Sequence, residues 1–487
     1  MLHHTNAPDS DAARYRQERV SHWDEIARSV GRRRRRWADT YHREIIGEFR
    51  HLVSPGKRML ELGSGCGDVL AALSPSSGVG VDFSSEMVAL ARQRHPELQF
   101  VTADASSCTS EVHGTFDVII LSDLVNDVYD AQALFEHVHR WCHPGTRLII
   151  NFHSQLWRPV LSLARTVGLA SPQLPQNWFT SADISHLLSL TDFEAIRAWQ
   201  AILCPAWFPL GGRLLNRYVG RVWPFRHLCL TNFILARPGP ARSVRAVSPT
   251  VSVVVPARNE AGNISGILDR VPRMGAGTEI VFVEGGSSDD TYKTIAAEIR
   301  RRHLEESCRV FRQEGKGKGD AVRLGFSRAS GDILMILDAD MTVPPEILPR
   351  FCEALRSGRA EFANGVRLVY PMEEQAMRFL NLIGNKAFSM AFSWLLGQPV
   401  KDTLCGTKAL WRSDYEAIAA NRSTFGSFDP FGDFDLIFGA VKQNLRIVDI
   451  PVRYRQRTYG TTNISRWRHG LLLVRMVLFA ARRIKFV

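Results

Sequence analysis

Short apolar runs, many of them rich in β-branched residues, recur along the chain, and helical patterns alternate with them. In the first half they include RMLEL (58–62), GVGVD (78–82) and FDVIILS (116–122). In the second half VSVVV (251–255) and ILMIL (333–337) have the same character. Runs of this length are typical of buried strands, and their alternation with helices predicts α/β folds with parallel, doubly wound sheets.

The length of the chain and a change of pattern near residue 240 predict two domains. At about 150 residues per domain, the 487 residues correspond to two or three domains. Segment 237–250, RPGPARSVRAVSPT, has three prolines and no apolar period, which is typical of a linker. We therefore predict a first domain at 1–237, a linker at 238–250, a second domain at 251–465 and a C-terminal amphipathic helix at 466–487.

The positive charge of the chain is concentrated in its second half. Residues 1–240 carry 25 Lys+Arg against 23 Asp+Glu, whereas residues 241–487 carry 36 against 26. Residues 451–487 hold nine Arg or Lys and no acid, so an anionic partner is expected at this tail. The five-arginine run 32–36 lies among acidic residues without interleaved aromatics, which indicates a solvated helical surface and no nucleic-acid partner.

The apolar segments favour a location at the inner face of a membrane without a span. No uncharged apolar stretch reaches about 18 residues, and the first twenty residues lack the apolar core of a signal peptide. Segments 379–400 and 466–487 are apolar but interrupted by polar residues, which suits helices that lie in the lipid interface or, alternatively, helices that pack on the core of the second domain. The eight cysteines form no CxxC pair, which excludes a zinc ribbon and fits a reducing cytoplasm. We therefore expect a cytoplasmic, peripherally bound protein.

Glycines and acids follow the strands of the first half. The turn GSGCG (63–67) joins a strand to a helix, where a ligand can approach the backbone and negative charge is stabilised. Asp82 ends the next strand, 19 residues after Gly63, where an acid can accept both hydroxyls of a ribose. Asp104 follows a third strand, where it can bind an amino group of adenine. These positions predict a nucleoside-binding site.

This succession of strands and acids resembles the class I S-adenosylmethionine-dependent methyltransferases, which have a Rossmann-like fold. The resemblance covers residues 15–237, including RYRQERVSHWDEIA, which is similar to their helical cap. It implies that Gly63 and Gly65 pass under the methionine part of the cofactor and that Asp82 binds the ribose. It also implies that Asp104 and Ala105 bind the adenine. The methyl acceptor stays open, because the acceptor region is the variable part of this fold.

Paired carboxylates mark the second half. Asp338 and Asp340 follow the strand ILMIL, and two carboxylates two residues apart would point to one side if the strand continued through them. Hard oxygen ligands suit Mg²⁺ or Mn²⁺ bridging a diphosphate. A metal there would stabilise the charge on a departing nucleoside diphosphate.

The segments PARNE, VEGGSSDDT, GKGKGDAVRLGF and LDADM together resemble the inverting family 2 glycosyltransferases of GT-A fold. Further segments, ANGVRL, DTLCGTKALWR, GDFDLIF and YRQRTYGTTNIS, are similar to the polyprenyl-phosphate glycosyltransferases. The likeness runs from about residue 250 to 485. It implies a nucleoside-diphosphate sugar as donor and a polyprenyl phosphate as acceptor.

The resemblance also implies roles for single residues. It places the nucleotide against Pro256, Arg258, Glu260 and Glu284, the metal on Asp338 and Asp340, the acceptor phosphate on Arg367 and Lys408, and the donor diphosphate on Arg457. Phosphate is best bound by charge-assisted donors of this kind. A phosphate acceptor is already ionised and requires no base, whereas a hydroxyl acceptor would make Asp433 or Asp435 the candidate base.

Three positions depart from the pattern of this family. The chain has Glu284-Gly285 where the family usually has two acids, Arg258 where a tyrosine is common, and Asn463 where a lysine often stands. The catalytic frame is kept, while recognition of the base and sugar is expected to differ.

The leading hypothesis is a bifunctional enzyme that transfers a sugar to a polyprenyl phosphate and methylates an unknown acceptor with S-adenosylmethionine. One alternative is a glycosyltransferase that acts on a hydroxyl acceptor in polysaccharide or glycolipid synthesis. In another, the first half binds S-adenosylmethionine without turnover and regulates the second half.

Overall fold

The structure is a computed structural model that describes residues 7–29, 36–106, 111–166, 174–205, 211–367, 369, 379–422, 433–457, 459 and 466–486. The chain divides into two compact units. Unit 1 comprises residues 1–242 with 486–487, and unit 2 comprises residues 243–485. The division falls within segment 238–250, which remains the predicted linker. The arginine run 32–36 lies outside the described residues, apart from the backbone of Arg36.

Unit 1 is built on a seven-stranded sheet. In chain order its strands are β1 Arg58–Leu62, β2 Ser77–Asp82, β3 Gln99–Thr102, β4 Phe116–Ser122, β5 Cys142–His153, β6 Phe193–Ala201 and β7 Thr231–Pro238. Their order in the sheet is β3-β2-β1-β4-β5-β7-β6. The first five are parallel, and β7 runs antiparallel to both β5 and β6.

Helices cover both faces of this sheet. The helices of unit 1 are α1 Ala7–Ser29, α2 Arg36–Leu52, α3 Asp68–Ala72, α4 Ser85–Arg94, α5 Ala131–Val138, α6 Arg158–Thr166, α7 Ser181–Leu190 and α8 Gly211–Arg217. One core contains Leu134 of α5 and Leu188 of α7, and the other contains Ile45 of α2 and Val88 of α4. This two-sided cover explains why the parallel strands are apolar on both faces.

Unit 2 is built on a second seven-stranded sheet. Its strands are β8 Thr250–Ala257, β9 Gly277–Glu284, β10 Cys308–Arg312, β11 Ile333–Ile336, β12 Phe362–Val366, β13 Lys408–Trp411 and β14 Ile447–Pro451. They are ordered β10-β9-β8-β11-β13-β12-β14. Its helices are α9 Ile264–Arg270, α10 Thr291–Arg301, α11 Lys318–Arg328, α12 Leu348–Arg356, α13 Phe379–Leu396, α14 Arg412–Ala420, α15 Asp433–Lys442 and α16 Arg466–Ala480.

The predicted fold class is confirmed, since both units are α/β with a central sheet. One detail of the second sheet differs, because β13 runs antiparallel to both β11 and β12. A strand–helix–strand crossover returns the chain in the same direction. The connection from β12 to β13 spans about forty residues. A connection of that length allows β13 to run in either direction relative to β12.

One face of the basic tail helix packs on the core of unit 2. Leu473, Met476 and Ala480 of α16 are buried in a core cluster, whereas Leu471 and Leu478 are exposed. Helix α13 also contributes to this core, through Phe392, Leu395 and Leu396. Among the described residues, no helix has the length and apolar character that a membrane crossing requires.

Candidate active sites

The glycine turn of unit 1 has left-handed backbone conformations that favour glycine. Gly63, Gly65 and Gly67 have φ angles of +72°, +50° and +77°, which residues with a side chain adopt at a cost. A Cβ atom on Gly63 would lie 2.8 Å from Cδ1 of Leu124. The turn therefore brings the backbone after β1 close to the segment after β4.

Asp82 is fixed at the end of β2 by two backbone donors. Its Oδ2 accepts the N–H of Gly65 at 2.8 Å, and its Oδ1 accepts the N–H of Ser84 at 2.9 Å. Burial raises the pKa of Asp82, while these hydrogen bonds act in the opposite direction. Each carboxylate oxygen can accept a second hydrogen bond, which a ribose hydroxyl is able to donate.

A cavity of about 210 Å³ lies at the carboxyl ends of β1 to β4. Four of the five cofactor residues predicted from the sequence line this cavity, namely Gly63, Asp82, Asp104 and Ala105. The fifth, Gly65, does not line it but donates a backbone hydrogen bond to Asp82. Asp104 accepts hydrogen bonds from the backbone N–H and the hydroxyl of Ser106, at 2.8 and 2.6 Å, and forms an ion pair with Arg16.

Helix α1 closes one side of this cavity. Arg19 donates from Nε to Oδ1 of Asp127 at 2.9 Å, and Trp23 donates from Nε1 to Oδ2 at 2.8 Å. The guanidinium of Arg19 also stacks on Tyr15, 3.4 Å from the ring centroid. Asp127 therefore holds the N-terminal helix over the cavity, the position expected of a helical cap.

A partly buried polar cluster at the same edge was not identified from the sequence as a group. The hydroxyl of Tyr41 donates to Asp123 at 3.0 Å, Nδ2 of Asn151 donates to Asp123 at 2.7 Å, and Thr231 donates to the Tyr41 oxygen at 3.3 Å. The ring of His153 lies 5.8 Å from that of Tyr41. These residues come from α2, β5, β7 and the segment after β4, so no local pattern reveals them.

Glu61 gives unit 1 a pH-dependent stability. Burial raises its pKa to about 8, and it accepts the N–H of Leu70 at 3.1 Å. The folded carboxyl thus keeps its proton at a pH where the unfolded one has lost it, so stability falls as pH rises from the ordinary glutamate range towards 8. We expect Glu61→Gln to be more stable than wild type by on the order of a few kcal/mol near pH 8.

Thermal unfolding at pH 6 and pH 8.5 checks this, with amide exchange of β1 identifying unit 1. Glu97→Gln, at an exposed position of the same unit, is the control. An equal destabilisation of wild type and Glu61→Gln with rising pH would contradict the assignment.

In unit 2 the two aspartates stand beyond the end of their strand. Strand β11 ends at Ile336, so Asp338 and Asp340 lie in the following turn. Oδ1 of Asp338 pairs with the ammonium of Lys318 at 2.6 Å. A Cβ atom on Gly406 would overlap both Oδ2 of Asp338 and Nζ of Lys318. Lys318 and Gly406 therefore belong to the site, although sequence reasoning gave neither of them a role.

Asp340 contacts Arg457, the residue predicted to bind the donor diphosphate. Arg457 donates to its Oδ2 at 2.8 Å and lies 3.3 Å from Oε1 of Glu260. Thr342 donates to its Oδ1 from the backbone at 3.1 Å and from the hydroxyl at 2.9 Å. The structure thus brings together Glu260, Asp340 and Arg457, which are far apart in the sequence.

The charges around Asp338 favour its ionised form. Burial raises its pKa, but the ammonium of Lys318, together with Lys408 and Arg367, outweighs that shift and lowers it. The pKa of Asp338 therefore lies below its ordinary value. Burial raises the pKa of Glu260, and Arg457 opposes that shift. A carboxylate that is ionised at neutral pH can bind a divalent cation together with phosphate oxygens.

The remaining nucleotide residues surround the ends of β8 and β9. Pro256 lies within β8 and is half-buried. Arg258 follows the end of this strand and is exposed to solvent. Glu284 ends β9, where it accepts the backbone N–H of Ser287. The N–H of Gly285 donates to the Ala257 carbonyl at 2.9 Å, so the two strand ends are in contact.

The two residues predicted to bind the acceptor phosphate have protein partners. Arg367 donates from Nε and Nη2 to the two oxygens of Asp402, at 2.7 and 2.9 Å, and Asp402 is buried. Lys408 is fully buried and donates to the carbonyl of Cys405. Both cations nevertheless lower the pKa of Asp338.

The side chain of Asp433 lies outside the described residues, whereas Asp435 is buried and accepts from Nε of Arg422 at 2.8 Å. In the part of the chain that the structure describes, no three His, Cys, Asp or Glu side chains converge as a metal site. Two carboxylates with donor phosphates are a common way to hold Mg²⁺ or Mn²⁺. The donor set of Asp338 and Asp340 therefore fits such an ion.

Family models of known proteins match both units of the chain. Residues 30–198 match the family model described as a methyltransferase domain, and residues 252–418 match that of glycosyl transferase family 2. The dolichol-phosphate mannosyltransferase of Pyrococcus furiosus is 29% identical over 220 residues, which are 44% of this chain and 59% of that protein.

Two proteins of Haloferax volcanii are similar as well. A low-salt glycan biosynthesis hexosyltransferase is 30% identical over 48% of this chain and 54% of its own length. A dolichyl-phosphate hexose transferase is 28% identical over 47% of this chain and 92% of its own length. The chain spans little more than half the length of the first of these and of the Pyrococcus protein.

Both resemblances inferred from the sequence motifs are therefore confirmed for the two domains. The chain combines a methyltransferase domain in unit 1 with a glycosyltransferase domain of family 2 in unit 2.

Proposed function

We propose that unit 2 transfers a sugar from a nucleoside-diphosphate sugar to a polyprenyl phosphate, with inversion at the anomeric carbon. The observation that carries this proposal is the convergence of Asp338, Asp340, Lys318 and Arg457 at the carboxyl end of β11. Similar proteins named as dolichyl-phosphate and undecaprenyl-phosphate sugar transferases support the choice of acceptor.

In this reaction an oxygen of the acceptor phosphate attacks the anomeric carbon, and the bond from that carbon to the diphosphate oxygen breaks. The electron pair of that bond leaves with the nucleoside diphosphate. When bound by Asp338 and Asp340, Mg²⁺ or Mn²⁺ would supply Lewis-acid stabilisation of the diphosphate. No residue has to remove a proton, because the acceptor phosphate is already ionised.

The cations of unit 2 suit the two phosphate groups of this reaction. Arg457 and Lys318 contact the two aspartates and are placed to stabilise the charge that develops on the leaving diphosphate. Arg367 and Lys408 are the candidates for binding the acceptor phosphate. Arg367 would have to exchange its pairing with Asp402, in whole or in part, to bind it.

A donor screen tests this function. Full-length protein is incubated with Mn²⁺ or Mg²⁺, undecaprenyl phosphate and a panel of radiolabelled nucleotide sugars, and the lipid phase is counted. Label in the lipid phase identifies the sugar. Absence of transfer from every donor, with nucleotide still bound, would contradict a phosphate acceptor and favour a hydroxyl acceptor.

The exposed side of α16 fits a peripheral position at the inner leaflet. Leu471, Val474 and Leu478 are exposed beside Arg475, and Arg482 and Arg483 follow the helix. Apolar side chains with flanking arginines suit the boundary between acyl chains and anionic head groups. A polyprenyl phosphate acceptor would be reached from that position.

We further propose that unit 1 binds S-adenosylmethionine in the cavity beside Asp82 and transfers its methyl group to an acceptor. We expect Asp82→Ala to bind the cofactor at least about tenfold more weakly, because the hydrogen bonds to a charged acceptor are lost. Calorimetry measures this, with Glu97→Ala as the control at an exposed carboxylate. Equal affinity of Asp82→Ala and wild type would contradict the assignment.

A further inference from the structure

Unit 1 carries an exposed apolar surface that the proposed function does not use. Six of its side chains are between 46 and 69% exposed, namely Leu156, Val160, Leu163, Trp223, Phe225 and Leu228. Surface apolar residues are ordinarily scattered, and a contiguous group of large ones marks an interaction site. We call this group, with the arginines of the same segments, the apolar–basic surface.

The two segments that carry this surface are in contact. Leu156 lies in a 3₁₀ turn at Gln155–Trp157 that leads into α6, and the others lie in α6 or between α8 and β7. Nε1 of Trp157 donates to the carbonyl of Leu228 at 2.8 Å, which joins the two segments. Helix α6 has no buried residue, although a nine-residue helix is marginal in water without packing. A partner that covers Val160 and Leu163 would supply that packing.

The charge of the surface identifies the chemistry of the partner. Segments 155–166 and 211–228 contain no Asp or Glu and six arginines, namely Arg158, Arg165, Arg213, Arg217, Arg221 and Arg226. Arg221 pairs with Glu48 of α2, so the other five carry the excess positive charge. A second copy of this surface would repel it, because both would carry the same sign of charge. Exposed leucine and valine beside arginine suit acyl chains and anionic head groups better than a sugar-phosphate backbone.

The surface stands at the edge of the sheet where the cavity opens. His153 at the end of β5 is paired with Thr231 at the start of β7, and Thr231 with Ala201 at the end of β6. These strand ends share the edge at which Gly63 follows β1 and Asp82 ends β2, since β1, β2, β4 and β5 are parallel. A partner on the apolar–basic surface is therefore next to the candidate methyl-transfer site.

We propose that the apolar–basic surface of unit 1 docks on an anionic lipid bilayer and that the methyl acceptor is a membrane-borne, lipid-linked molecule. The second half of this proposal rests on the proposed methyl transfer. The docking does not rest on methyl transfer, because it is inferred from the exposure and charge of the surface alone.

Flotation with lipid vesicles tests the docking. The full chain is mixed with phosphatidylcholine vesicles containing or lacking 30% phosphatidylglycerol. Leu471→Glu is introduced throughout, so that the exposed face of α16 does not dominate the binding. We expect the Val160→Glu/Leu163→Glu double variant to show at least about a fivefold smaller bound fraction on anionic vesicles. Leu190→Glu, equally exposed but at the end of α7 that lies at the opposite sheet edge, is the matched control.

Two outcomes of flotation would overturn the docking. One is equal binding of the double variant and the control. The other is a change of oligomeric state in sedimentation velocity with unchanged vesicle binding, which would assign the surface to a second copy.

Labelled methyl transfer separates the two halves of the proposal. Protein, S-adenosylmethionine with a tritiated methyl group and vesicles of bacterial lipid extract are incubated, and the organic phase is counted. We expect label in wild type and at least about a fivefold loss in the double variant, which should still bind cofactor in calorimetry. Docking without label would overturn the lipid-linked acceptor alone, and failure of cofactor binding in wild type would overturn the proposed methyl transfer.

Discussion

Asp340→Asn is expected to reduce sugar transfer by at least about 100-fold while leaving unit 2 folded. Asp340 combines a candidate metal ligand with a hydrogen bond to Arg457, at 2.8 Å. An amide has nearly the same shape but carries no charge, so it cannot balance a divalent cation or hold Arg457 with the same strength. Glu260 still contacts Arg457, at 3.3 Å, which is why the arginine should keep its place in the fold.

The initial rate of transfer to the lipid phase measures this effect, with the divalent cation titrated for each protein. Asp290→Asn is the matched control, because Asp290 is exposed in the same unit and pairs with Lys293 three residues away. A variant that kept wild-type turnover at the same metal concentration would show that Asp340 is not part of the reaction centre.

Gly406→Ala is expected to impair transfer almost as strongly, about 100-fold, although glycine has no functional group. The new methyl group would overlap the Asp338 carboxylate and the Lys318 ammonium, so one of them has to move. Either movement separates the ion pair that holds Asp338 ionised beside the strand end. The expected defect is in kcat and in metal dependence, since Asp338 is the candidate ligand.

Gly277→Ala is the control for a general effect of replacing glycine, because a Cβ atom there meets nothing within 4 Å. Thermal unfolding of both variants separates a local defect from a global one. Full activity of Gly406→Ala, or an equal loss in Gly277→Ala, would contradict the close approach of residue 406 to the site.

The strand ends of both sites were predictable, and the contacts between them were not. Gly63, Asp82 and Asp338 stand at ends of apolar runs, and parallel strands bring such ends to one edge of a sheet. The partners Lys318 and Gly406 come from a helix start and from a loop, 20 and 68 residues away from Asp338 along the chain. Spacing alone contains no information about such pairings.

The antiparallel strand β13 illustrates a second limit of the sequence. Its four residues, Lys408–Trp411, are apolar apart from Lys408, and buried strands of either direction have this pattern. Burial of Lys408 then follows from its place in the middle of the sheet, between β11 and β12. A prediction of phosphate binding from the motif could not foresee that its ammonium meets the Cys405 carbonyl.

Unit 2 is proposed to join a sugar to a phosphate, and the chemistry of the labelled lipid product decides whether it does. Mass spectrometry and mild acid treatment of that product distinguish a glycosyl phosphate from a glycoside. We expect one sugar added to undecaprenyl phosphate and release of the label by mild acid. A label that is acid-stable and attached through a hydroxyl oxygen would contradict it.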